Sequence, residues 1–157
     1  MKLSKYLLVA GLASCLAVPA LAYDTDVAQR VQNLVTGQMD QHFFVTRPCK
    51  VDAAKVLAML RENEDVVLLD IRTPEERSVV SLSHPKAVSI PMNALFKPEN
   101  LDRLPENGKI IVLCHSGNRA AGTTALLKAV GFKDVSYVNG GMISLITNLT
   151  PGTAPGL

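Results

Sequence analysis

An α/β fold, with a largely parallel central sheet of about five strands flanked by helices, is what this chain of 157 residues predicts, on three observations. The runs Val66-Val67-Leu68-Leu69-Asp70-Ile71 and Lys109-Ile110-Ile111-Val112-Leu113 are too apolar to leave one sheet face wet, as expected of parallel strands covered on both sides. Stretches with apolar side chains at helical spacing separate such runs, so strands and helices alternate and consecutive strands are joined by crossovers. With 48% hydrophobic residues and no tryptophan, the length allows one compact domain.

The elements follow in chain order. Residues 1–22 read as an export signal: Lys2 and Lys5 give a basic start, residues 6–18 are apolar, Pro19 breaks the run, and Ala20 and Ala22 form an A-x-A site before Tyr23. Cleavage there predicts a periplasmic or secreted protein with no membrane association afterwards. Leu12-Ala13-Ser14-Cys15 also resembles a bacterial lipoprotein box, so the alternative is a chain anchored through Cys15, although residues 16–22 would be an oddly apolar start for it. An uncleaved anchor ranks third, since the broken apolar run falls short of the roughly 20 residues a spanning helix needs.

Residues 23–41 form an N-terminal extension, polar with spaced Val27, Val31, Leu34 and Val35, and are expected to add a helix ahead of a domain at 42–149. Within that domain, residues 42–46 are a short candidate strand, Arg47-Pro48-Cys49 is a break, and 52–62 is a helix with Ala53, Val56, Leu57 and Leu60 on one face. Strands follow at 66–71 and 87–90, then a helical turn at 92–96 and a loop at 98–108 with a brief helix near 101–104. Next come a strand at 109–113, a helix at 118–130 ended by Gly131, a strand at 135–138, the turn Asn139-Gly140-Gly141 and a helix at 142–148. The tail, 150–157, carries two prolines and two glycines and reads as flexible.

Chemistry concentrates at Cys114-His115-Ser116-Gly117-Asn118-Arg119, where a buried strand gives way to a loop and then a helix. The carboxyl ends of parallel strands host ligands, and loop amides entering a helix N-terminus form an anion site. Such a field favours thiolate over thiol, and Arg119 adds a positive charge. The chemistry indicated is nucleophilic, with an anionic sulfur or oxyanion held in the loop. A lone cysteine ending an apolar strand is more often a small core residue. The cluster of His115, Ser116, Asn118 and Arg119 at one bend weighs against that, because no core needs them. Ser116 either bonds the thiolate or caps the following helix. His115 reads as a solvent-facing loop residue and Asn118 as another candidate cap.

Cleavage after Ala22 would leave two cysteines, Cys49 and Cys114, in an oxidising compartment. A structural disulfide, or a reversible one with Cys49 resolving, is therefore an alternative. Setting Lys2 and Lys5 aside leaves as many Lys and Arg as Asp and Glu, so the chain shows no nucleic-acid footprint.

The motifs Asp70-Ile71-Arg72-Thr73-Pro74-Glu75-Glu76, Ser83-His84, Ile90-Pro91, Cys114 to Ala120, and Gly131-Phe132 through Asn139-Gly140-Gly141-Met142, in this order and spacing, resemble the single-domain rhodanese family over about residues 42–149. The resemblance implies a three-layer rhodanese-like fold and a sulfurtransferase in which Cys114 takes the outer sulfur of a donor such as thiosulfate as a persulfide. It then passes the sulfur to a thiophilic acceptor, cyanide or a thiol, with a protein acceptor as a further implied partner; the alternative is a rhodanese-like module that carries sulfur or binds a partner without turnover. Amides from His115 to Arg119 would hold the persulfide, and neither metal nor organic cofactor is required. Only four residues separate Cys114 from Arg119, whereas related cysteine phosphatases and arsenate reductases have five, so the cradle suits one sulfur better than a phosphate. Arg119 is expected to bind the donor or, alternatively, to form a surface ion pair. Asp70, Arg72 and His84 are supporting residues: Arg72 pairing Glu75 or Glu76, Asp70 bonding loop amides, and His84 pinning a loop. Against the family pattern, the loop after His84 is one position short, and the final helix has Ile143-Ser144-Leu145-Ile146 in place of the tryptophan common after the double glycine.

Overall fold

The computed structural model describes residues 22–38 and 49–155. In chain order the elements are α1 (Thr25–Gln38), β1 (Lys50–Val51), α2 (Ala53–Arg61), β2 (Val66–Asp70), α3 (Pro74–Val79), β3 (Ala87–Ser89), α4 (Met92–Leu95), α5 (Pro98–Leu101), β4 (Lys109–Leu113), α6 (Asn118–Val130), β5 (Val135–Val138) and α7 (Gly141–Asn148). The strands form one sheet in the order β1-β5-β4-β2-β3, and every pairing is parallel.

Burial of β2 and β4 on both faces explains their unbroken apolar character. Side chains alternate across a strand. Leu68, Ile111 and Leu113 thus join Val56 and Leu60 of α2 and Leu145 of α7 on one face. Leu69, Ile110 and Val112 join Leu95 of α4 and Leu127 of α6 on the other. The register sets Asp70 against Leu113, which brings the ends of these two strands, and the loops that follow, to the same edge.

Several expectations are adjusted. The strand expected at 42–46 lies outside the described residues, and the edge strand found is Lys50–Val51, too short for periodicity to reveal. Helix α3 was not expected, because it buries no residue and so has no apolar stripe. Its signals are local: Thr73 as N-cap, Pro74 in the first turn, and a capping box closed by Glu76. The brief helix expected near 101–104 begins instead at Pro98, whose fixed φ suits a first helical position. The added helix α1 lies against α6, with Leu34 as its buried contact. Of the segment expected as a flexible tail, residues 150–155 carry a hydrogen-bonded turn, in which the Thr153 hydroxyl donates to the Asn148 carbonyl at 2.7 Å.

The partner of Arg72 is Asp70, not Glu75 or Glu76. In extended chain, positions 70 and 72 lie on the same side. The guanidinium donates from Nε to Oδ1 at 3.0 Å and from Nη2 to Oδ2 at 2.7 Å, and the Arg72 amide donates to Oδ1 at 3.0 Å. Both side chains are buried, 0% and 2% exposed. Removing one partner of such a pair leaves an uncompensated charge, which costs about 3–5 kcal/mol. Arg72→Met is therefore expected to lower the urea unfolding midpoint by that equivalent, and Asp70→Leu combined with Arg72→Met to lose less than Arg72→Met alone.

Candidate active site

Cys114 follows the last residue of β4, and the chain then turns sharply into α6. Gly117 makes that turn at φ 99°, a left-handed conformation that favours glycine. It is the N-cap of α6 and supplies no side-chain cap. Neither Ser116 nor Asn118 fills that position, and both are exposed, as is His115.

A second turn backs the loop. Gly140 and Gly141 have φ values of 72° and 60°, and the first amides of α7 donate to the loop: Met142 N–H to the Cys114 carbonyl at 2.8 Å and Ile143 N–H to the His115 carbonyl at 3.2 Å. Helix N-terminal amides have no partner within their own helix, so they are free for this use. The approach is so close that a Cβ at position 141 would stand 2.5 Å from the Cys114 carbonyl oxygen and 2.6 Å from that of His115. Glycine is thus demanded there twice, by dihedral and by space.

The Cys114 side chain is 1% exposed. Its Sγ accepts from Gly117 N–H at 3.1 Å and from Ala120 N–H at 3.4 Å. One donor lies inside the range expected, His115 to Arg119, and the other just beyond it, in the first turn of α6. Sulfur therefore sits at the amino end of that helix, where a growing negative charge is stabilised.

Arg119 is tied across the loop to Glu76 of α3. Its Nη1 donates to Oε2 at 2.9 Å and Nη2 to Oε1 at 2.5 Å. The same carboxylate accepts from the Thr73 amide at 2.9 Å. The Arg119 guanidinium and then the Thr73 amide pull the Glu76 pKa down to about 2. Arg119 is raised in turn, chiefly by Glu76, with Cys114 contributing less. Arg119 thus forms the ion pair that was one of the two expectations for it. Glu76 had been seen as a partner for Arg72, and the legible clue to its position was the Thr73-x-x-Glu76 capping box.

A cavity of about 290 Å³ opens beside the loop, lined by Arg72, Glu76, Val79, Val80, His115 and Ile143 among others. His84 is not among its lining residues. The His84 Nδ1 accepts from the Lys86 amide at 3.2 Å, and burial, then the Lys86 charge, pushes its pKa down.

Cys49 and Cys114 are both free thiols. The register pairs Lys50 with Tyr137 and Tyr137 with Val112, so Cys49 lies two strands away from Cys114 and three residues behind it. That is about 10 Å along the strands and about 10 Å across them, beyond the roughly 7 Å between Cα atoms that a disulfide spans. Burial raises the Cys49 thiol, partly offset by Lys128.

Comparison with known proteins bears on the family and the fold. The rhodanese-like domain profile matches residues 52–145. A sulfurtransferase of Allochromatium vinosum is 30% identical over 106 residues, covering 68% of this chain and 95% of that protein. The probable adenylyltransferase/sulfurtransferase MoeZ of Mycobacterium tuberculosis is 28% identical over 59% of this chain, but only 23% of MoeZ is covered. Among solved structures, a rhodanese-like domain protein of Staphylococcus aureus is 30% identical with a TM-score of 0.54, covering 61% of this chain and 89% of that one. A rhodanese-related protein of Thermoplasma volcanium is 26% identical with a TM-score of 0.55, covering 65% and 94%.

Two consequences are measurable. Gly141→Ala is expected to lower thermal stability markedly, by an amount comparable to backbone strain of about 1–3 kcal/mol or more, whereas Gly122→Ala, where a Cβ meets nothing within 4 Å, should be neutral or stabilising. The depressed Glu76 pKa means that its contribution to stability is complete above about pH 4.5 and is lost as pH falls toward 2. Denaturation curves of the native chain and Glu76→Gln should differ at neutral pH and converge in that acid range.

Proposed function

The chain belongs to the rhodanese-like domain family, and from that membership we propose that it is a sulfurtransferase working through a persulfide on Cys114. In the first step the Cys114 thiolate attacks the outer sulfur of a donor such as thiosulfate. The donor S–S bond breaks, sulfite leaves with the electron pair, and a Cys114 persulfide anion remains. In the second, an acceptor such as cyanide or a thiolate attacks the terminal sulfur, the persulfide S–S bond breaks, and its electron pair returns to Sγ. Charge balances in both steps, and neither needs a metal or an organic cofactor.

The observation that carries the reading is the pair of amides, Gly117 and Ala120, aimed at Sγ within a loop having only four residues between Cys114 and Arg119. Fixed donors of this kind stabilise an anionic sulfur without reorganising. A short loop leaves less room for a tetrahedral oxyanion than for one more sulfur atom. A periplasmic or secreted setting belongs to the same proposal and rests on the sequence of residues 1–22.

The test is thiocyanate formation from thiosulfate and cyanide by pre-reduced protein. Initial-rate plots at several cyanide concentrations should be parallel, as a covalent intermediate requires. Cys114→Ser should lower turnover to background, at least about 10³-fold, while Cys49→Ser retains it. Turnover surviving Cys114→Ser would refute the proposal. Sulfur loading without turnover would identify a carrier rather than an enzyme.

A further inference from the structure

Next to the cavity beside Cys114 lies a larger one of about 360 Å³, walled by Leu57, Leu60, Leu82, His84, Leu145 and Leu149. Val80, Met142 and Ile146 line both cavities, so the two adjoin along α7. The Met142 amide is bonded to the Cys114 carbonyl, which sets this shared wall directly against the active loop.

Charge and polarity along this path narrow what it can receive. Arg72 and Arg119 pair with Asp70 and Glu76 beside the loop, and none of the residues lining the larger cavity is Lys, Arg, Asp or Glu, so an anionic headgroup would find no partner in that cavity. The lip is apolar as well: Val79 is 83% exposed, and Ile143 and Ile146 are about half exposed. A cavity lined in this way gains free energy from buried methylenes and none from a charged group held within it, whose desolvation would go uncompensated.

Resting on the sulfur-transfer reading above, we propose that the sulfur acceptor is a thiol at the end of an uncharged, largely aliphatic chain, its methylenes lying in the larger cavity and its sulfur reaching the Cys114 persulfide. The acceptor thiolate attacks the terminal sulfur and a new S–S bond forms on the acceptor. The bond to Sγ breaks, and its electron pair leaves Cys114 as a thiolate. Sulfur and charge are conserved, and no oxidant or reductant enters.

The experiment loads the full chain with thiosulfate and offers it a homologous series of uncharged mercapto alcohols, from mercaptoethanol to mercaptooctanol. Loss of the added sulfur is followed by mass spectrometry and rates are corrected for thiolate fraction. The second-order rate constant should climb by up to about fourfold per methylene. The slope should flatten in Leu149→Ser and in Ile146→Ser, two exposed positions whose replacement spares the core. A flat series with the native chain, or a slope unchanged in both variants, would overturn the inference, while continued unloading by cyanide would leave the sulfurtransferase reading standing. Failure to load any sulfur on Cys114 would take down both.

Discussion

Backbone, rather than side chains, holds the active loop in place. Met142 and Ile143 donate to the carbonyls of Cys114 and His115, and Gly141 approaches those carbonyls so closely that even a methyl group would collide with them. Gly117, whose own added Cβ would stand 3.3 Å from the Gly140 amide nitrogen, completes the contact from the other side. Two left-handed turns thus interlock at the carboxyl edge of the sheet. The register of β4 and β5, Ile110 with Val135 through Val112 with Tyr137, brings them level. The amides that face Sγ are aimed because this interlock fixes the path from β4 into α6.

Charges at the site are arranged as closed pairs around that loop. Asp70 and Arg72 are sealed in the sheet edge, and Glu76 joins Arg119 while also closing the cap of α3. The pairs are not equivalent. The first is buried and matters because breaking it strands a charge. The second is part-exposed and matters more for tying α3 to the start of α6 than for its own energy. At sulfur the Gly117 and Ala120 amides supply oriented dipoles, a source that salt screens little and that costs no reorganisation.

Much of this was legible in the sequence where burial or covalent geometry constrains residue type. The doubly covered strands β2 and β4 announced themselves as unbroken apolar runs, and the Cys114 loop as polar residues that no core would use. Elements that bury little were illegible by periodicity: α3 buries nothing, and β1 is only two residues long. Pairings among charged residues were the least readable. Arg72 has Asp70 and Glu76 within a few positions on either side, and only the extended path after β2, with side chains at 70 and 72 on one side, decides between them. Arg119 meets a partner 43 residues earlier in the chain, which local spacing has no means of revealing. Cys49 and Cys114 looked like a pair because they would be the two cysteines left if residues 1–22 were removed. The sheet puts them two strands apart at different levels.

In the proposed chemistry the sulfur taken from the donor resides on Cys114. The most direct test of this is peptide mapping of the full chain after brief treatment with thiosulfate, under non-reducing conditions. One additional sulfur on the peptide bearing Cys114, removed when cyanide is added, is the predicted result. Additional sulfur on Cys49, or an unchanged Cys114 peptide, would contradict it.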